Sequence, residues 1–233
     1  MRLAIIPARG GSKRIPRKNI KLFRGKPIIG WSIEAAHTSK CFNRIIVSTD
    51  DHEIAQVAKD FGAEVPFVRP LELSNDNTGT IPVISHAIEY HNNNCSESDN
   101  ATEVCCIYAT APFLQANDLK RGLFELQKTG AEYAFSVTKY PFPIQRAIRI
   151  TNNNRVEMFQ PEYFTKRSQD LDEAWHDAGQ FYWGHAKTWL TQKPVFSIYS
   201  APVVLDRKKV QDIDTHEDWE YAELMHKIIS PSI

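Results

Sequence analysis

Up to Lys139 the chain alternates short apolar runs with amphipathic stretches. Residues 3–7 are apolar and bounded by Pro7 and Gly10-Gly11, which predicts a buried strand. Residues 27–36 predict a helix with Pro27 near its first turn. A second strand is expected over 44–49 and a helix over 53–61, with Asp50 or Asp51 as its cap and Gly62 as its stop. Residues 64–68 read as a third short strand, 81–91 as a helix and the polar stretch 92–102 as a surface loop. Strands over 104–109 and 133–138 flank a helix over 117–129. Strands alternating with helices predict an α/β fold with a mostly parallel sheet flanked by helices, and ligands at the carboxyl ends of the strands.

The rhythm changes after Lys139. Residues 146–150 and 156–159 flank the turn-rich triplet Asn152-Asn153-Asn154, a hairpin pattern. Residues 160–177 are polar and irregular; strand-like 180–183, a short helix near 187–191, a strand over 195–199 and a helix over 215–229 then restore the α/β pattern. Residues 140–172 read as an excursion from one domain spanning 1–233, an arm for contact with a second protomer. No apolar run approaches the roughly 18 residues of a membrane helix, and the opening apolar run is too short for a signal-peptide core. Cys41, Cys95, Cys105 and Cys106 form no CxxC pair, so a reducing cytoplasm is the expected compartment, with neither a disulfide framework nor a zinc site.

Charge sharpens this picture. Lys plus Arg and Asp plus Glu are each 28, which argues against a basic nucleic-acid binder and an acidic disordered chain. The balance is uneven along the chain. The first 33 residues hold nine bases and no acid, whereas 212–223 hold six acids and no Lys or Arg. A basic head and an acidic tail suit a polyphosphate and a cation, or else two solvated faces.

The basic run Pro7-Ala8-Arg9-Gly10-Gly11-Ser12-Lys13-Arg14-Ile15-Pro16-Arg17-Lys18-Asn19 follows the first strand directly. Gly10 and Gly11 let backbone N–H groups approach phosphate oxygens, and the neighbouring cations neutralise them. The run matches neither the Walker nor the G-x-G-x-x-G pattern, which disfavours a kinase or a dehydrogenase. A basic surface turn accounts for Arg14 and Arg24, but not for Gly-Gly-Ser-Lys at a strand end. In an extended segment Asp212 and Asp214 share one face, because side chains alternate with period two. Two such hard oxygen donors suit Mg²⁺ with phosphate oxygens; the competing reading is a cap on the last helix. For Asp50 and Asp51, capping is at least as good a reading as catalysis. His176 and Asp177 lack an activated Ser or Cys, and the eight histidines show no metal spacing. Trp175, Phe181, Tyr182 and Trp183 read as core, with a sugar-contact role left open by the neighbouring His176, Asp177 and Gln180.

The basic run resembles the signature loop of the acylneuraminate cytidylyltransferase family, which activates nine-carbon acidic sugars. The similarity continues through Ile45-Ile46-Val47-Ser48-Thr49-Asp50, Arg69-Pro70-Leu71-Glu72-Leu73, Ala109-Thr110-Ala111-Pro112 and Asp212-Ile213-Asp214, in the family's order and over nearly the whole chain. The resemblance implies the Rossmann-like sheet of nucleotide-diphospho-sugar transferases. It implies that Arg9, Ser12 and Lys13 bind CTP phosphates, and that Lys18 stabilises the leaving pyrophosphate. Asn19, Arg69 and Thr80 would sit against the cytidine, with the backbone at Ala109 and Thr110 lining the nucleotide pocket. Asp212 and Asp214 would hold Mg²⁺. The expected partners are CTP, an acidic nine-carbon sugar and a second copy of the chain joined through 140–172, with no nucleic acid and no membrane.

Departures within the family suggest the sugar. Tyr108 stands where sialic-acid enzymes carry Gln, and His176-Asp177-Ala178-Gly179 where they carry Arg-Pro-Asn-Gly. The latter block with the following Gln180-Phe181-Tyr182-Trp183, together with Arg14-Ile15-Pro16-Arg17-Lys18-Asn19, resembles the pseudaminate-activating branch most. Replacing a carboxamide by a phenol changes both the hydrogen-bonding groups and the shape that set substrate choice. Tyr108, His176, Gln180 and Tyr182 are therefore the expected sugar contacts. Arg167 is the candidate partner of the sugar carboxylate, with Arg146 and Lys166 behind it, against the plainer reading of an exposed arm cation. The alternatives are an enzyme for N-acetylneuraminate, legionaminate or Kdo, and a noncatalytic nucleotide-sugar sensor.

Overall fold

The structure, a computed structural model, describes residues 1–229. In chain order the elements are β1 (Arg2–Pro7), β2 (Leu22–Phe23), β3 (Lys26–Pro27), α1 (Ile28–Ser39), β4 (Arg44–Ser48), α2 (His52–Asp60), α3 (Thr80–Asn93), β5 (Glu103–Ile107), α4 (Ala116–Thr129) and β6 (Tyr133–Lys139). There follow β7 (Ile148–Ile150), β8 (Val156–Met158), β9 (Trp175–His185), α5 (Ala186–Leu190), β10 (Ser200–Val204) and α6 (His216–Ile229). Six strands form the central sheet in the order β10-β6-β9-β5-β1-β4. All neighbours run parallel except β9, which is antiparallel to both β5 and β6.

Side-chain alternation along the strands divides the core. Ala4 and Ile6 of β1 pack with Ile29 and Ile33 of α1, Ile54 of α2 and Leu119 and Leu123 of α4. Leu3 and Ile5 face the other way, with Ile84 and Ile88 of α3 and Trp189 of α5. The adjacent Cys105 and Cys106 obey the same period, one in each layer. Gly122 lets α4 lie close to the sheet, since a Cβ there would stand 2.6 Å from both Phe181 and Trp183.

A third cluster positions the chemistry. Ile15 of the basic run and Ile213 of the acidic segment are both buried with Phe23, Phe113 and Trp219 of α6. Two oppositely charged segments at the two ends of the chain are thereby anchored by their own apolar residues. Because β9 is antiparallel, its first half lies at the edge where β1, β4 and β5 end.

Three expectations need correction. Residues 64–68 form no strand: only Glu64 bridges Ile46, and Pro66 supplies no donor to continue a ladder. The strand expected at 195–199 is β10 instead, because the chain turns at Ser197–Ser200 and leaves Phe196, Ile198 and Tyr199 exposed. Pro202 within β10 is tolerated on an edge strand. The irregular region ends earlier than expected, since β9 starts at Trp175. The chain leaves the sheet at Lys139 and carries the antiparallel hairpin β7–β8 before returning. That excursion exposes Phe142, Ile148, Ile150, Val156 and Phe164.

Candidate active site

A cavity of about 620 Å³ opens at the carboxyl edge of the sheet. Arg9, Ser12, Lys13, Lys18 and Asn19 line it from the segment after β1, and Arg69 and Thr80 from the segment leading into α3. Tyr108, Ala109 and Thr110 line it after β5, and Asp214 at the acidic end. Five cations, Arg9, Lys13, Arg14, Lys18 and Arg69, face two carboxylates, Asp76 and Asp214. The excess of positive charge suits a polyphosphate.

The loop after β1 is fixed by contacts within the molecule. Asn19 donates through Nδ2 to the Arg9 carbonyl at 2.9 Å, closing the loop on itself. Gly10 N–H donates to Asp50 Oδ1 at 3.0 Å. A Cβ at Gly10 would stand 2.8 Å from Asp51 Oδ2, so any side chain there would push Asp51 away from its present place. Gly10 and Gly11 belong to the loop without lining the cavity. Asp51 caps α2, accepting from Glu53 N–H and Ile54 N–H, and its carboxylate also receives the Arg17 guanidinium. Arg17 hydrogen bonding holds the Asp51 carboxyl down at about 2. Asp50 is free of capping.

The charged groups pair across the cavity. One carboxylate, Asp76, bridges Arg9 at 2.6 Å and Lys13 at 2.5 Å. Asp214 pairs with Arg14 at 2.8 Å and lies 3.4 Å from Lys18 Nζ, which donates to the Ile213 carbonyl at 2.7 Å. Asp212 lies outside the cavity lining and is exposed as a residue. Its carboxyl is nevertheless raised, first by desolvation and then by the charge of Asp214, with Lys18 opposing. Neither aspartate caps α6. Thr215 Oγ1 accepts from Asp218 N–H, and Asp218 Oδ2 accepts from the N–H groups of Asp214 and Thr215.

Of the expected sugar contacts, only Tyr108 lines this cavity. Its hydroxyl is 3.4 Å from Thr80 Oγ1, and its ring lies 5.3 Å from that of Tyr182. Burial pushes the Tyr108 hydroxyl up. Tyr182 is buried and donates to Asp177. Gln180 is buried and donates to the Lys209 carbonyl at 2.5 Å, and His176 packs against Tyr140 with ring centres 4.6 Å apart. Tyr182 stands against the Tyr108 ring, and the Gln180 carbonyl accepts from Tyr108 N–H at 2.9 Å. Arg167 sits on the arm and is paired with Asp170 at 2.8 Å, while Arg146 contacts Ser168. Sequence reasoning missed Asp76 and Asn75. Asn75 Oδ1 accepts from Asn77 N–H and Thr78 N–H, a side-chain-stabilised turn whose signal was the run Ser74-Asn75-Asp76-Asn77 before α3.

The chain matches the cytidylyltransferase family over residues 3–221. It is 46% identical over 226 residues to a pseudaminic acid cytidylyltransferase of Campylobacter jejuni subsp. jejuni serotype O:23/36 (strain 81-176), covering 97% of this chain and 96% of that one. It is 30% identical to a CMP-N,N'-diacetyllegionaminic acid synthase of Legionella pneumophila subsp. pneumophila, covering 97% and 96%. Among solved structures, a CMP:2-keto-3-deoxy-manno-octonic acid synthetase complexed with CTP shares the fold, with a TM-score of 0.69 at 16% identity over 100% of this chain and 99% of that one.

Proposed function

The chain belongs to the cytidylyltransferase family, and from that premise we propose that it converts CTP and pseudaminate to CMP-pseudaminate and pyrophosphate. The observation that carries the reading is the meeting of Lys18 and Asp214, 196 residues apart in sequence, at the rim of one cation-lined cavity. Nucleotidyl transfer needs loop cations and a carboxylate at the same triphosphate, and Asp214 is the member of the acidic pair that lines the cavity. The likeness to relatives named as pseudaminic acid cytidylyltransferases, at 46% and 45% identity, supports the sugar.

The anomeric hydroxyl oxygen of the sugar attacks the α-phosphorus in line. The new O–P bond forms as the bond to the β-phosphate oxygen breaks, pyrophosphate leaves and the hydroxyl proton passes to solvent. Arg9, Ser12 and Lys13 hold the phosphates, displacing the Asp76 carboxylate. Lys18, fixed by the Ile213 carbonyl, faces the charge that grows on the departing pyrophosphate. Arg69, Asn19 and Thr80 face the nucleoside, with the backbone at Ala109 and Thr110. Tyr108, backed by Tyr182 and Gln180, shapes the sugar side, with His176 further along the same strand.

The donor set fits a hard divalent cation. Asp212 and Asp214 are neighbouring carboxylates released from capping, and they would hold such a cation together with phosphate oxygens. Mg²⁺ held there would neutralise phosphate charge and orient the chain of phosphates.

The exposed apolar side chains of the arm support a homodimer built through 140–172. Arg167 lies away from its own cavity, so its role toward a sugar carboxylate rests on the arm reaching the partner's cavity. Among the described residues no helix is long and apolar enough to cross a membrane, and the four cysteines are free thiols. A cytoplasmic enzyme, where CTP is at hand, agrees with both.

Pyrophosphate release from CTP, measured with a panel of nonulosonic acids, tests the reading. Release is expected with pseudaminate, and release with none of the acids would leave a noncatalytic nucleotide-sugar sensor.

A further inference from the structure

Between β4 and α2 stand two adjacent aspartates that do different work. Asp51 is fully engaged as the cap of α2 and the partner of Arg17. Asp50 has no part in either. Its Oδ1 accepts from Gly10 N–H at 3.0 Å, and the same oxygen lies 3.6 Å from Arg69 NH2. A single carboxylate atom therefore touches the loop that holds phosphates and the arginine on the nucleoside side.

Arg69 needs such a partner. Its side chain is 3% exposed, the most enclosed of the arginines that form ion pairs among the described residues. Nε donates to Ser74 Oγ at 3.2 Å, and the backbone N–H donates to the Thr49 carbonyl at 2.8 Å. NH2 is buried and has no hydrogen-bond partner. A guanidinium carries five donors in a fixed plane, and a buried donor left unpaired is costly. Arg69 lines the cavity together with Thr80 and Tyr108. Asp50 supplies the charge that offsets the burial of the guanidinium.

We propose that Asp50 is a positioning residue that couples the two ends of the nucleotide site, holding the loop through Gly10 N–H and aiming Arg69 at the nucleoside through its charge. The proposal rests on the reading of the cavity as a CTP site. It also separates two duties of one side chain. Accepting from Gly10 needs only an oxygen, which Asn provides. Holding Arg69 needs the negative charge, which Asn lacks.

Two variants and two probes separate these duties. Binding of CMP and of inorganic tripolyphosphate is measured by calorimetry on the full chain, with melting temperature as a check on folding. Asp50→Asn is expected to weaken CMP about tenfold, the scale of one charge-assisted hydrogen bond, while tripolyphosphate stays within about twofold. Asp50→Ala is expected to weaken both. In steady state with the sugar, Asp50→Asn should raise the KM for CTP far more than it lowers kcat, a split that a purely structural role would not produce. An Asn variant that binds CMP as tightly as the parent would overturn the coupling. A parent protein that prefers neither CMP to AMP nor CTP to ATP would instead sink the CTP reading itself, whatever the variants do.

Discussion

Thr215 and Asp218 cap α6 reciprocally: the hydroxyl of Thr215 accepts the Asp218 N–H at 3.1 Å, and the Asp218 carboxylate accepts the Thr215 N–H at 2.8 Å. The helix start is thus satisfied without help from the two aspartates just before it. A cap was the plain alternative to a metal ligand for Asp214, and this geometry removes it.

Asp212→Asn and Asp214→Asn follow from this. Asn keeps a neutral oxygen at each position but removes the charge that binds a hard divalent cation. Both variants should melt within a degree or two (about 0.5 kcal/mol, as for surface changes) of the parent. Both should lose most activity at limiting magnesium and regain part of it at high magnesium. Titration of the initial rate with Mg²⁺ checks this, and full activity of both variants at limiting magnesium would return the pair to a structural role.

Asp76 occupies Arg9 and Lys13 in the way a phosphate would. A triphosphate must displace this carboxylate, so removing its charge should help binding. Asp76→Asn is expected to tighten CTP by about twofold to fivefold, the modest scale of an exposed ion pair. Calorimetry with CTP in the absence of sugar reads it directly, and weaker binding would mean that Asp76 contacts the nucleotide favourably.

Much of this site was legible in the sequence because its strongest parts are local. An apolar run ending in Gly10-Gly11 fixes both a strand and a loop, and Ile15 and Ile213 mark where each charged segment is anchored. What stayed hidden depends on contacts distant in sequence. Asp76 sits in a polar turn that reads as a linker, and only folding brings it to Arg9, 67 residues away. Asp50 and Asp51 are indistinguishable as letters, and only the facing Gly10, Arg17 and Arg69 separate them. The apolar stretch before β10 predicts a strand by composition, yet the chain turns there and the ladder starts at Ser200.

Lys18 donates to a carbonyl of the acidic segment, so its ammonium is held at the cavity rim before any substrate arrives. Lys18→Ala should lower kcat by about a hundredfold or more, the scale of losing one preorganised electrostatic contact, with a smaller rise in the KM for CTP. An unchanged kcat with only a raised KM would show that Lys18 binds ground state and transition state alike.

Tyr108 presents its hydroxyl beside Thr80 in the cavity wall. Pseudaminate should be used at least about tenfold more efficiently than N-acetylneuraminate, since unpaired polar groups penalise the wrong sugar. Tyr108→Phe removes only the hydroxyl and should narrow that ratio while leaving CTP affinity nearly unchanged. Equal kcat/KM for the two sugars with the parent enzyme would overturn the specificity argument.

The Arg17–Asp51 pair gives the loop an acid-sensitive tie. The Asp51 carboxyl is held at about 2 against an ordinary 3.8, chiefly by hydrogen bonding from Arg17. A carboxyl whose folded value lies below its unfolded one stabilises the fold above the unfolded value, and that contribution disappears as pH falls through the folded one. The shift corresponds to at most about 2 kcal/mol. Asn caps a helix about as well as Asp, so Asp51→Asn removes the ion pair while sparing the start of α2. The stability gap between parent and Asp51→Asn should be full at neutral pH, shrink between about pH 4 and pH 2, and vanish below that. Urea unfolding of both proteins across this window measures the gap. A gap that stays constant down to pH 2 would show that the charge of the Arg17–Asp51 pair does not set it.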